Sequence, residues 1–297
     1  IRYFIVNYLR HDIVSCLFLN KSFMRILLVI CGFILTTSNC FSQLRFDYPI
    51  NTFDSCVYIV SYELEYQEDS LYSNFKQKEV MYLLIGDSVH KFISKNFFIE
   101  DTIFRRMKSR DEFSAFCRTP AKYISRFGYQ IFKNFPQGYL THFERIMPNN
   151  YRYMEEMNFL EWKLHNETDS IHGYIVRKAT CEYSGRSWVA WYSPDIPYSE
   201  GPYKFYGLPG LILDIHDTKN HYVFHFLSIE IPKEKLNIDM RGKEYHEISK
   251  TMFLKAEDNF RNNIGTIYKQ AGISKENIEY AKSTIRVRNN PLELERD

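Results

Sequence analysis

The chain has 297 residues, of which 17% are aromatic and 25% charged, with a formal net charge of +2. That length allows one large domain or two small ones. Arg2, Arg10, Lys21 and Arg25 against Asp12 supply the positive excess, so the rest is close to neutral; neither a cationic excess nor a basic stripe marks it for nucleic acid. The first predicted element is a leader. In "KSFMRILLVICGFILTTSNCFSQ", Lys21 and Arg25 form a positive start and Ile26 to Leu35 an apolar centre. Cys40 and Ser42 are small residues ahead of a cut before Gln43. The apolar centre is short of the roughly twenty residues that span a bilayer core, which argues against an uncleaved anchor. Cys40 follows Asn39 and has no Leu three positions before it, which argues against a lipidated Cys. Met24 is the first Met. Residues 1–23 therefore read as an over-called extension, 24–42 as a signal peptide, and 43–297 as one domain with a short charged C-terminal tail. The expectation is an exported protein, periplasmic or associated with the outer membrane, with no transmembrane span after the cut near Ser42–Gln43. Cys56, Cys117 and Cys181 remain in the domain, so at most one internal disulfide can form, with the pairing open.

Alternation of apolar and polar residues then predicts strands. "SCVYIVSYELEY" (55–66) places Val57, Ile59, Ser61 and Glu63 on one face and Tyr58, Val60, Tyr62 and Leu64 on the other. Residues 78–94 read as two strands joined at Gly86–Asp87, and 95–116 as a helix. Strands are expected at 129–135, 138–147 and 151–157. Residues 159–197 suggest three more, with turns at 166–170 and 184–186 and a stop at Pro194 and Pro197. Strands at 211–216 and 221–231 follow. Ile248, Met252, Ala256, Phe260, Ile264 and Ile267 then mark one face of a helix over 245–272, stopped at Gly272. The predicted class is α+β, mainly β: a curved antiparallel sheet, a meander resembling a half-barrel, with one or two packed helices.

A Pro-Gly breaker interrupts the apolar run "GPYKFYGLPGLILDI" (201–215). Leu208-Pro209-Gly210-Leu211 fits a type II turn, with Pro at the second position and Gly at the third. The two leucines can then dock together on a core, and residues 193–210 become a long shaped connection carrying Tyr192, Tyr198, Tyr203, Phe205 and Tyr206. Gly207 to Ile212 is the hexapeptide Gly-Leu-Pro-Gly-Leu-Ile, and the chain here resembles the GLPGLI family. "EWKL" (161–164), "IHGYIVRKAT" (171–180), "GRSWVAWYSPDIPYSEGP" (185–202) and "NNPLEL" (289–294) are similar to the family's other blocks, in its order. The resemblance covers most of the domain. It implies an exported protein of Bacteroidetes-type bacteria with no assigned activity. The family often has Cys where Val176 stands, near the place of Cys181, so a disulfide between those two positions is excluded.

Motifs for chemistry are absent. No Gly-x-Ser-x-Gly and no phosphate-cradling Gly-rich loop occurs, and "HEISK" (246–250) has Lys250 where a second metal-binding His would stand. His216, His221 and His225, near Asp214 and Asp217, form the best candidate metal set, although strand neighbours four apart are too distant for joint ligation without a curled backbone. Glu161, Asp195 and Glu200 read as solvated loop charges, and Arg186, Trp162, Trp188 and Trp191 as sheet packing. No cofactor is implied. The favoured reading is a non-enzymatic envelope protein that binds an apolar ligand or a protein partner. The binding residues would be Tyr192, Tyr203, Phe205, Tyr206, Leu208, Pro209, Gly210 and Leu211. The alternative is a hydrolase, metal-dependent through His216, His221 and His225.

Overall fold

The structure is a computed structural model. It describes residues 49–295 except 72–75, 119–122, 124, 271 and 287, so the leader and the extension before it lie outside the described residues. The long alternating run near the start forms β1 (Ile50–Tyr66), in which Val60, Tyr62 and Leu64 face the core, as the alternation predicts. There follow β2 (Gln77–Gly86), β3 (His90–Ser94), β4 (Gln130–Lys133), β5 (Tyr139–Ile146) and β6 (Asn149–Glu156), each antiparallel to the one before. A second meander comprises β7 (Lys163–Ile171), β8 (Tyr174–Tyr183), β9 (Arg186–Ser193), β10 (Leu211–Asp217) and β11 (Tyr222–Glu230). The two meanders join where β11 pairs with β1. Two short strands complete the sheet: β12 (Asn237–Arg241) pairs with the first part of β1, and β13 (His246–Glu247) lies parallel to β6. The result is mostly β, a large unclosed sheet rich in antiparallel pairs.

Four helices are described. The helix expected over 95–116 is two, α1 (Lys95–Arg106) and α2 (Arg110–Arg118). Met107 turns extended, and Ser109 then accepts a hydrogen bond from the Glu112 amide, a side-chain cap that starts the second helix. The C-terminal helix α3 (Lys250–Gln270) starts five residues later than the pattern suggests. Its buried face is also rotated: Phe253, Leu254, Ile264 and Tyr268 point inward, while Met252 is 60% exposed. Helix α4 (Lys275–Arg286) lies beyond the Gly272 stop and packs on α3 through Ile278 and Ile264.

One turn is placed differently from the expectation. Residues 166–170 lie inside β7, and the reversal falls at His172–Gly173, with φ of 50° and 85°. Two successive positive φ values define the tight hairpin turn whose twist matches its strands. β7 is an edge strand, exposed along most of its length, so its Asn-Glu-Thr-Asp-Ser run needs no apolar face. The tail predicted after Asn290 is in part internal: Leu292 and Glu293 are buried. Cys56 and Cys181 are free thiols, with burial raising them to about 11 and about 12. Among the described residues, no helix is long and apolar enough to cross a membrane.

Candidate functional site

The connection from Pro194 to Gly210 leaves β9, crosses the sheet face that carries Leu64, Met81, Phe92 and Phe224, and returns into β10. Its aromatic residues point into that core. Phe205 lies against Trp188 (ring centroids 4.7 Å apart) and Tyr183 (5.7 Å), both from the second meander. Tyr203 meets Tyr129 of the first meander at 5.6 Å. Lys133, at the end of β4, is fully buried and donates to the carbonyls of Gly201 (2.7 Å) and Phe205 (2.6 Å), with Glu200 at 3.0 Å. The connection thus ties one meander to the other.

The proposed loop contacts can now be placed. Tyr192, Tyr203, Phe205, Leu208 and Leu211 are at most 5% exposed, Gly210 is buried and Tyr206 half-buried, and Pro209 is exposed. The turn is not the type II turn expected. Gly210 N donates to Leu208 O at 2.8 Å and Leu211 N to Ile196 O at 3.0 Å, so the reversal is a three-residue one centred on Pro209. Gly210 has φ of 143°, and a Cβ there would overlap the Ser193 carbonyl and come within 2.9 Å of Pro194 Cα. The second glycine of the hexapeptide is therefore set by a close backbone crossing as well as by its φ.

The three histidines do not converge. His225 and His216 both lean on Asp214, at 2.6 and 3.4 Å, whereas His221 lies in the turn before β11, 3.4 Å from Arg186. Among the described residues, no group of three His, Cys, Asp or Glu side chains could hold a metal. Glu200, expected to be solvated, is buried beside Lys133 because the connection folds inward. Arg186 is buried and holds Asp217 at 2.9 Å. It also donates to Asn290 Oδ1 and to the carbonyls of Pro291 and Leu292, which pins the C-terminal block against the sheet.

That pinning brings Glu293 to a buried cluster. Lys204 Nζ meets Glu155 (2.6 Å), Glu293 (2.7 Å) and the Tyr153 hydroxyl (2.9 Å). Lys250, from α3, reaches the same two carboxylates at 2.7 and 2.9 Å, and Tyr203 and Tyr183 donate to Glu293 at 2.6 and 2.9 Å. Burial pushes the Glu293 carboxyl up, but Lys204 and Lys250 outweigh it and hold it well below the usual range. Burial likewise lowers Lys204, and the two glutamates outweigh it and raise it.

Beside this cluster a cleft of about 220 Å³ opens between β5, β6 and the segment before β4 on one side and α3 on the other. Its walls include Tyr129, Tyr153, Tyr203, Tyr222 and Phe253. His142, 3% exposed, stacks on Tyr153 at 4.8 Å and meets the edge of Phe253 at 5.3 Å. Its Nε2 lies 2.9 Å from Glu144 Oε2. Burial, with the Lys204 charge adding to it, pushes the imidazole down to about 3, so it is neutral near pH 7. A neutral ring that donates from Nε2 to the carboxylate presents its Nδ1 as an acceptor. Among the described residues Nδ1 has no hydrogen-bond partner, and neither does the hydroxyl of Tyr129, a residue 7% exposed. Two residues that line one aromatic cleft thus each carry a buried polar atom without a partner, a costly arrangement. Among the described residues, no Ser, Thr or Cys lines the cleft. The sequence offered one signal for this site, the even spacing of His142 and Glu144 on a strand face. Tyr129, α3 and Glu293 come from distant parts of the chain.

The architecture is thus a large unclosed sheet, rich in antiparallel pairs, with an aromatic cleft beside a helix. A family model described as "Protein of unknown function (Porph_ging)" matches residues 183–214, a span that includes the whole Gly207–Ile212 hexapeptide. No curated protein matches the chain. Among solved structures, PNGF-II in its P21 crystal form is similar, with a TM-score of 0.50 and 14% identity over 69% of this chain and 34% of that one. Its C2 crystal form gives a TM-score of 0.49 at 14% identity, over 69% and 33%. The chain spans about a third of the length of these structures, and at 14% identity the likeness to the P21 form is one of fold.

Proposed function

We propose that this chain is a non-enzymatic binding protein of the cell envelope, exported and of the GLPGLI type, that holds a small organic ligand in the cleft between the sheet and α3. The observation that carries this reading is the pair of buried, unpartnered atoms, His142 Nδ1 and Tyr129 Oη, at an aromatic cleft. A ligand with a flat or apolar body and a hydrogen-bond donor would satisfy Nδ1, and its polar groups would meet the hydroxyl. His142 held to about 3 is a poor proton acceptor near neutral pH, which favours binding over acid–base catalysis. In this reading the Gly-Leu-Pro-Gly segment acts from behind, seating Tyr203 against Tyr129 at the cleft wall.

The test is native mass spectrometry of the full chain, exported to a periplasm and purified without detergent. The wild-type protein is expected to carry a discrete small-molecule mass, and His142→Phe to lose it while keeping the same melting temperature within a few degrees. A bare wild-type mass overturns the proposal.

A further inference from the structure

A second cavity, of about 290 Å³, continues from the cleft between β5 and the α3–α4 pair. Arg126, Arg261, Arg288, Glu144 and Glu257 line both spaces, so these side chains sit at the junction. The second cavity adds Arg145, so at the junction four guanidinium groups stand against three carboxylates, Glu144, Glu257 and the adjoining Glu68. Its far wall is apolar, built from Phe260, Ile264, Tyr268 and Ile285 on the two helices. Arg126, Arg261 and Arg288 are anchored in place. Arg288 lies 3.3 Å and Arg126 3.9 Å from Glu68, while Arg261 pairs with Glu257 at 3.7 Å and donates to the Arg288 carbonyl at 3.1 Å. Burial lowers the Arg288 guanidinium from its ordinary value, so a further anion nearby would be favourable.

We infer that the ligand is an anionic amphiphile, with an oxyanion head among Arg126, Arg145, Arg261 and Arg288 and an aliphatic chain along the apolar wall of α3 and α4. This rests on the binding reading above and adds the ligand's charge and shape to it. The physical argument is one of complementarity. A net cationic, partly buried rim attracts an oxyanion, and guanidinium groups recognise carboxylate or phosphate by paired hydrogen bonds. The apolar wall behind the rim gains from covering a chain rather than water. Together the two spaces fall within the roughly 300–1,000 Å³ usual for small-molecule sites. A polar group further along such a ligand would reach His142 and Tyr129 in the first cleft.

The experiment is calorimetric titration of the full chain with decanoate and, as the uncharged control, decanol. Decanoate is expected to bind at least about tenfold more tightly than decanol. Arg145 lines the second cavity and not the first. Arg145→Gln should weaken decanoate about tenfold, the loss of one charge-assisted hydrogen bond, and leave decanol unchanged. Equal binding of the two probes, or a variant that binds decanoate as well as wild type, overturns the anionic head. A parallel loss of decanol binding in the variant would mean a damaged cavity, and Arg261→Gln then repeats the comparison. If decanoate fails to bind while the purified chain still carries a His142-dependent mass, this inference falls and the binding reading stands. If neither is seen, both fall.

Discussion

The connection at 194–210 and the cleft under α3 share an aromatic wall, yet the buried lysines at the one and two buried polar atoms at the other differ in whether the chain supplies their partners. At the connection, its own Lys204 and the Lys133 of β4 beneath it lie wholly inside, each held by carboxylate and carbonyl or hydroxyl oxygens of the chain itself. In the cleft, His142 Nδ1 and Tyr129 Oη are equally hidden and have no such partner among the described residues. A satisfied buried network rigidifies a fold, whereas an unsatisfied one costs free energy until something fills it. The segment read from the sequence as a binding loop is largely buried, and the binding reading proposed above rests instead on the less conspicuous strand histidine.

Substitutions can break that contrast. The largest effect is expected at Gly210. Gly210→Ala must place a Cβ into the Ser193 carbonyl at a φ that disfavours side chains, so the protein should fail to fold or lose more than about 4 kcal/mol in urea titration. Gly128→Ala, where a Cβ meets nothing within 4 Å, should stay within about 0.5 kcal/mol. Next is Lys204→Met, which leaves Glu155 and Glu293 with Lys250 alone and should cost about 3–5 kcal/mol. Leu208→Ser, which removes apolar burial and hides a hydroxyl in the core, should cost about 3 kcal/mol and lower binding only through lost folding.

The pH dependence sharpens the comparison. His142 titrates at about 3 in the fold and near 6.5 in the unfolded chain. Between those values the unfolded state takes up a proton that the folded state refuses. Stability therefore falls with falling pH, by up to about 1.4 kcal/mol per pH unit from this one group. His142→Phe should flatten that slope in urea titrations at pH 7, 6 and 5. An unchanged slope would contradict the buried, neutral imidazole. Glu293 acts lower: its folded value is depressed, so its contribution is present above about 4.5 and is lost as pH falls through the folded value. The stability change of His142→Phe at pH 7 is expected to be small too, within about 1 kcal/mol, because relief of the unpartnered Nδ1 offsets loss of the Nε2–Glu144 hydrogen bond.

Local pattern determined much of this protein. Alternation located β1, the β2–β3 hairpin and the strands around Trp188, and Pro194 ended β9. It failed where local and tertiary signals diverge: the polar edge strand β7 read as a turn, and the face of α3 was rotated from the predicted stripe. Tertiary structure alone decided that β11 pairs with β1, that the connection folds inward onto Lys133, and that the C-terminal Glu293 joins Lys204. These contacts link residues far apart in the chain, and periodicity carries no information about which distant segment supplies a partner. The cleft is made of such contacts: Tyr129, His142, Phe253 and Glu293 are brought together by two meanders, one helix and a pinned C-terminal block. Most strands and breakers were legible because they follow from local sterics and alternation. Which buried polar atoms remain without a partner depends on the whole fold.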